Sequence, residues 1–380
     1  TNNTTCNQLS SINGGRLNTV KAICSNIGGG SNNSINGVSS TSILGGYLNE
    51  ISGSGNYGNI GGGSSNLIYG ATCAASILGG ENNKIRHGCN DSILGGCFNV
   101  IQNEEFDSQN TIVNGTLNKI TGSRASAIVA GTSMSVKCSD YSMIGSGRNN
   151  STTDSRGSFI GGGFTNSVSC ADYSFIGGGA NNVALNPAHY SVIAGGRYNE
   201  TVCFSFVGGG CNNCITGQAS AIVGGCNNTI STYYSGILGG QSNTVAHTCS
   251  FVIGNGLTTT ANNYTFVNNL CNVGGGVSDS RLKENVVNIP YGLTQLTQLD
   301  PVSFTFKDDE SKQTKYGFIA QCVQEVMPEL VSTHPTQTVD GDPVLQFDKD
   351  AVWASTVNAI KELKLEVEAL KAEISILKQK

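Results

Sequence analysis

Ser278 and Lys283 are the residues of this chain whose types and spacing can do covalent chemistry. They lie in Ser278-Asp279-Ser280-Arg281-Leu282-Lys283, where a Gly- and Asn-rich array gives way to a charged tail. An unprotonated lysine can activate a serine hydroxyl without histidine, so the pair reads as a Ser-Lys dyad. At the first residue of a new domain, the pair suggests a self-cleaving junction. Such spacing also describes ordinary surface residues, so the surroundings must decide.

Two other clusters invite chemistry. Glu104, Glu105 and Asp107 form the densest acid cluster before the tail. They suit a carboxylate pair for glycan hydrolysis or a cation site. No aromatic groove accompanies them, and a solvated loop on one enlarged coil is the plainer reading. Cys211-Asn212-Asn213-Cys214 has the spacing of a metal or redox pair. Both cysteines fall on repeat columns, and no second pair or nearby histidine completes a zinc site. Reduced buried or turn thiols, in a cytosol-like assembly compartment, are the expectation for the 14 cysteines. Stacked pairs such as Cys211/Cys226 and Cys73/Cys89 can still oxidise in an extracellular particle. Calcium-binding solenoids need an aspartate in each coil, which is missing here, so no metal and no cofactor is expected.

Charge draws the main boundary. Residues 1–277 are neutral, with 20 charged side chains, whereas residues 278–380 hold 27 and carry the whole net charge of −5. A neutral array argues against nucleic acid, because phosphate binding needs clustered Lys and Arg. No apolar run approaches the roughly 20 residues of a membrane span, so no membrane insertion is expected. No signal peptide is visible. The chain opens at Thr1 rather than a methionine, as it would had an upstream attachment region or leader been removed.

The array is a repeat, and its period fixes the architecture. Glycine recurs at Gly15, Gly30, Gly46, Gly63, Gly80, Gly96 and onward to Gly256, about 16 residues apart over sixteen copies. Three residues before each stands isoleucine, Val207 excepted, and three residues after stands asparagine, except at Met134 and Thr259. A second β-branched position follows, as at Ile35, Ile51, Ile68 and Ile85. Sixteen residues are too few for a helix pair but suffice for two short strands and two turns. Inward isoleucines would stack from coil to coil, glycines would supply corners, and asparagines would occupy left-handed turns and bond along a ladder. A rod of roughly 75 Å follows from about 4.8 Å per coil. Its thin core asks for burial against sister chains.

The tail ends in heptads. Ile360, Val367 and Ile374 take a positions, and Leu363, Leu370 and Leu377 take d positions. β-Branched a with Leu d leans toward dimers in simple peptides. The alternative is one amphipathic helix packed on its own domain.

Residues 278–380 resemble the C-terminal intramolecular chaperone of phage endosialidase tailspikes and neck-appendage fibres. The resemblance rests on residues 278–285, Gly292-Leu293 and Leu299-Asp300-Pro301-Val302-Ser303-Phe304. It continues through Gly317-Phe318-Ile319-Ala320-Gln321, Pro328-Glu329-Leu330-Val331 and Ala359-Ile360-Lys361-Glu362-Leu363. Cys322 departs from it, standing where an acidic residue commonly follows. The resemblance implies that the domain trimerises the fibre ahead of it and then cuts itself off. It also implies Ser278 as nucleophile, Lys283 as general base, Val277–Ser278 as the scissile bond and no turnover of outside substrates. The repeat is similar, more loosely, to the left-handed β-roll head of trimeric autotransporter adhesins, whose coil is somewhat shorter.

The expectation is therefore a mainly β homotrimer. Residues 1–256 form a parallel β-solenoid (a left-handed β-roll of about 16 residues per coil), and 257–277 a degenerate coil and Gly-rich linker. Residues 278–351 form a small α+β autoprotease chaperone, and 352–380 a coiled coil. The function expected is a fibre or spike shaft for adhesion or host attachment, on a virion or other extracellular surface. Its partners would be itself and a cell-surface receptor, with glycan among the options. A glycan-degrading tailspike and a bacterial adhesin are the alternatives. A membrane-bound transcription factor would also need a DNA-binding domain and a membrane span, and neither is seen.

Overall fold

The computed structural model describes residues 2–103, 108–268, 280–307, 312–339 and 342–378. The chain divides into two compact units, Thr1–Cys271 and Asn272–Lys380.

The first unit is a parallel β-solenoid. One ladder stacks seventeen short strands from Ser11–Ile12 to Thr265–Val267, and a second stacks sixteen from Thr4–Thr5 to Thr244–Val245. Each strand pairs in parallel with its equivalent one coil on, as Ser76–Ile77 does with Ser92–Ile93. Both ladders are thus open stacks along a rod. A third column of single bridges joins the residues after each repeat glycine, such as Glu81 to Cys97 and Cys97 to Thr116.

Isoleucine fills the interior because a β-branched side chain packs well on a pleated surface. Ile43, Ile60, Ile77 and Ile93 are fully buried in one column, and Ile51, Ile68, Ile85 and Ile101 in the other. Each such burial contributes about 2–3 kcal/mol. The register differs from expectation at the last copy. Ile237 pairs with Val252, which is fully buried, while Ile253 is 45% exposed. Gly254 replaces Gly256 as the repeat glycine, since its carbonyl takes the Asn243 side-chain amide at 2.7 Å.

The asparagine column is buried, and here the expectation was half right. The Asn83 backbone N–H donates to Asn66 Oδ1 at 3.0 Å, and the Asn66 amide donates to the carbonyls of Gly62 and Gly80, both at 2.9 Å. The ladder begins one coil early at Asn3 and ends at Leu257, whose N–H reaches Asn243 Oδ1. Met134 joins through its backbone alone, donating to Asn118 Oδ1. The left-handed residue, however, is the one before each column asparagine, such as Leu48, Ser65, Asn82 and Phe98. Corner and ladder are separate positions. The asparagine stays in ordinary backbone so that its side chain can point inward. The repeat glycine is needed at φ +87° in Gly63, where a Cβ would strike the Gly80 carbonyl.

The second unit is α+β. Leu299, Val323 and Met327 form its core, with Phe318, Leu330 and Phe347 packed around them. Val302–Phe304 pairs antiparallel with Lys315–Gly317, and Val331–Val339 with Asp342–Phe347. Among the described residues three α-helices complete it: α1 (Leu293–Leu296), α2 (Ala320–Val326) and α3 (Lys349–Leu377). Asp348 caps α3, its Oδ1 accepting the N–H groups of Asp350 and Ala351 at 2.9 and 3.1 Å. Among the described residues no helix is long and apolar enough to cross a membrane.

Candidate functional site

Val277 and Ser278, the two sides of the expected scissile bond, lie outside the described residues, and so do Glu104, Glu105 and Asp107. Lys283 is described. It follows the one-turn 3-10 helix Ser280–Leu282, its N–H reaches the Ser280 carbonyl at 3.2 Å, and it is exposed.

Further along, the tail brings distant motif segments together. The Leu293 N–H, at the start of α1, donates to Glu362 Oε2 of α3 at 2.6 Å. Asn358, one turn earlier on α3, donates its amide to the carbonyls of Ile289 and Tyr291 at 3.2 and 3.3 Å. The Glu362 carboxylate lies directly against Gly292, where a Cβ would stand. A carboxylate at a helix N-terminus satisfies otherwise unpaired N–H groups. Glu362 therefore ties the segment after Lys283 to the helix that carries the heptads.

Helix α3 has two halves. Val352, Ser355 and Ala359 are buried on their own tail. Ile360, Leu363, Val367, Leu370, Ile374 and Leu377, the six heptad positions, are all exposed, from 39% to 69%. Packing on its own domain thus accounts for the first half of the helix and leaves the heptad half uncovered.

The cysteines correct one expectation. Cys73–Cys89 and Cys211–Cys226 are disulfides between neighbouring coils, with Cα–Cα distances of 4.5 and 4.7 Å. Stacked ladder positions bring the Cβ atoms into bonding range, so oxidation replaces the reduced state at these two pairs. Nine other described cysteines are free. Cys211 pairs with Cys226 and not with Cys214, which takes the Cys211–Cys214 spacing out of metal or redox use. Burial, and then the negative charge of Glu200, push the Cys214 thiol up, away from the reactive thiolate.

A second polar column escaped the sequence reading. Serine two residues before the inward isoleucine is buried and hydrogen-bonded coil to coil. Ser158 N–H donates to Ser142 Oγ at 3.2 Å, and Ser142 Oγ–H donates to the Ser155 carbonyl at 2.6 Å. The Ser-x-Ile spacing was the available signal, hidden by the abundance of serine. Asp91 occupies this column and is fully buried. It accepts from the Asn110 N–H at 2.8 Å and the Asn103 amide at 3.1 Å. Burial pushes its carboxyl up to about 6, against the hydrogen bonds of Asn110, Ser108 and Asn103. The folded value thus lies above the ordinary one of about 3.9. Native protein holds the proton between those values, so the stabilisation is full below about pH 4 and is lost as pH rises through about 6. The shaft should lose about 3 kcal/mol across that window, and Asp91→Asn should remove this dependence. Denaturant unfolding of both proteins at pH 4.5 and pH 7 checks it. Equal pH dependence in the two would overturn the assignment.

Residues 278–332 match the family described as chaperone of endosialidase. The C-terminal resemblance read from the sequence holds. Among curated proteins, a probable tail fiber protein of Escherichia phage Phieco32 is 30% identical over 101 residues, covering 26% of this chain and 14% of that protein. The long tail fiber proteins Gp37 of Enterobacteria phages K3 and T2 are each 31% identical over 100 residues, 26% of this chain and 8% and 7% of theirs. The chain therefore spans only a small part of the length of the curated relatives it matches.

Proposed function

We propose that this chain is the shaft and C-terminal chaperone of a homotrimeric virion fibre that attaches to a cell surface, and that it cleaves itself between Val277 and Ser278. The observation that carries the reading is the union of an unbroken solenoid with a segment matching chaperone of endosialidase. The exposed heptads of α3 support association of chains, since those side chains are uncovered within one; the number three comes from the family resemblance.

The tail answers a problem of register. Every coil resembles the next, so three shafts can zip one coil out of step. Tail domains that hold three chain ends together raise their effective concentration and set a common start. Lys283 then takes the Ser278 hydroxyl proton, and the oxygen attacks the Val277 carbonyl carbon. The peptide C–N bond breaks as the proton passes to the Ser278 nitrogen, leaving an ester between Val277 and the Ser278 oxygen. Water hydrolyses that ester to a Val277 carboxylate and a free Ser278 hydroxyl. Lys283 must be unprotonated to begin. It is exposed in the single chain, and the neighbours that complete its site come with assembly. Cleavage thereby reports a completed trimer, and loss of the template leaves the rod kinetically trapped.

Expression of residues 1–277 alone beside the full chain tests the chaperone role. The truncated shaft should be recovered mainly as aggregate, and the full chain as a soluble assembly. Equal soluble yield of ordered shaft from both would contradict it.

A further inference from the structure

We infer that the outward face of the first strand ladder is the surface on which three copies of this chain pack together; the inference rests on the trimeric reading above and assigns its interface. In each coil two side chains point outward there, immediately before and after the buried isoleucine. From Asn26 to Ile253 none of these positions is charged. They carry one large apolar group per coil over most of the rod, but from alternating sides. Leu44, Leu78 and Leu94 follow Ile43, Ile77 and Ile93, with serine on the preceding side. Phe159, Phe175 and Phe206 precede Ile160, Ile176 and Val207, with glycine on the following side.

At the phenylalanine coils a side chain on the following position would strike the backbone of the next coil: the atom nearest to an added Cβ is the Ala194 carbonyl oxygen for Gly177 and the Val223 carbonyl oxygen for Gly208. Most of the large outward groups are open to solvent in the single chain, from 64% for Leu44 to 38% for Phe175, while Phe159 is half-buried. Over some fourteen coils at about 4.8 Å the stripe is roughly 65 Å long. At about 10 Å wide it covers about 650 Å², more than soluble monomers usually expose and close to one partner's share of a standard interface.

The outward face of the second ladder is its opposite. Lys21, Glu50, Lys84, Arg86, Lys119 and Lys137 stand there, which marks it as the solvated side. The occupant of the apolar face is another copy of this chain. A parallel copy in register offers the same spacing of about 4.8 Å and sets each level of the stripe against its own equivalent. The leucine-bearing and phenylalanine-bearing stretches then match level by level. A slip would set unlike volumes against each other where the two stretches meet.

Photo-cross-linking in the full chain tests this. Phe175 is replaced by p-benzoylphenylalanine in one protein and Lys119 in another, and native mass is recorded for both. The expected result is three chains by mass in each, with covalent dimers from position 175 and none from position 119. Three chains with cross-links from 119, or with none from 175, would overturn the face while leaving the trimer standing. A single chain by mass would overturn both.

Discussion

Ser278→Ala should give a fibre that assembles normally and never releases its tail. The substitution removes one oxygen, the atom that attacks the Val277 carbonyl, and leaves the hydrophobic core of Leu299, Val323 and Met327 untouched. Trimerisation through α3 and the shaft does not depend on that oxygen, so assembly and cleavage should separate cleanly. Lys283→Ala should act nearly alike, because a serine hydroxyl without a base is a weak nucleophile. The effect expected is loss of all detectable processing. Gel electrophoresis of denatured protein after prolonged incubation reads it directly. Processing of Ser278→Ala at the wild-type rate would show that the bond is cut by other chemistry. A variant that fails to assemble would show that the serine does structural work.

Ile77→Asp should disrupt the shaft. Ile77 is fully buried, paired through its strand with Ile60 on one side and Ile93 on the other. A carboxylate there loses roughly 2–3 kcal/mol of apolar burial and enters an interior lined by isoleucine. It must then ionise without a partner or take up a proton, at a further cost of several kcal/mol. In a stacked array each coil touches only its neighbours, so one failed coil divides the rod into two shorter arrays. Proteolysis should therefore open near residue 77 before the rest of the shaft. Lys84→Asp, on the outward face of the next strand, should change stability little. Equal melting of Ile77→Asp and wild type would contradict the register of the core.

Much of this fold can be read from periodicity, and the places where reading failed have physical causes. The inward residues from Ile27 through Ile237 recur at a nearly regular spacing because each must meet its copy in the next coil, and that constraint is visible in one dimension. At the end of the array Val252 and Ile253 are both β-branched and adjacent. Only the pairing with Ile237 tells which faces inward. The asparagine ladder was legible as a column, but a spacing cannot say whether the asparagine or its predecessor takes the left-handed corner. That choice goes to residues such as Leu48 and Phe98, which carry no turn signature. Asp91 stayed hidden as one acid in a column of hydroxyls, and its burial comes from the stacked coils and not from its neighbours in sequence. In the tail, the motif around Ser278 and Lys283 suggested the chemistry proposed above. The contact from Glu362 to the Leu293 N–H spans 69 residues and needed the fold to appear.

The central claim is that three chains assemble on the tail and then part from it. Native mass spectrometry of the expressed wild-type protein, with an intact-mass spectrum of the same sample, tests it most directly. The account predicts an assembly of three shafts, each ending at Val277, and a separate fragment beginning at Ser278. A single uncut chain at micromolar concentration would contradict it.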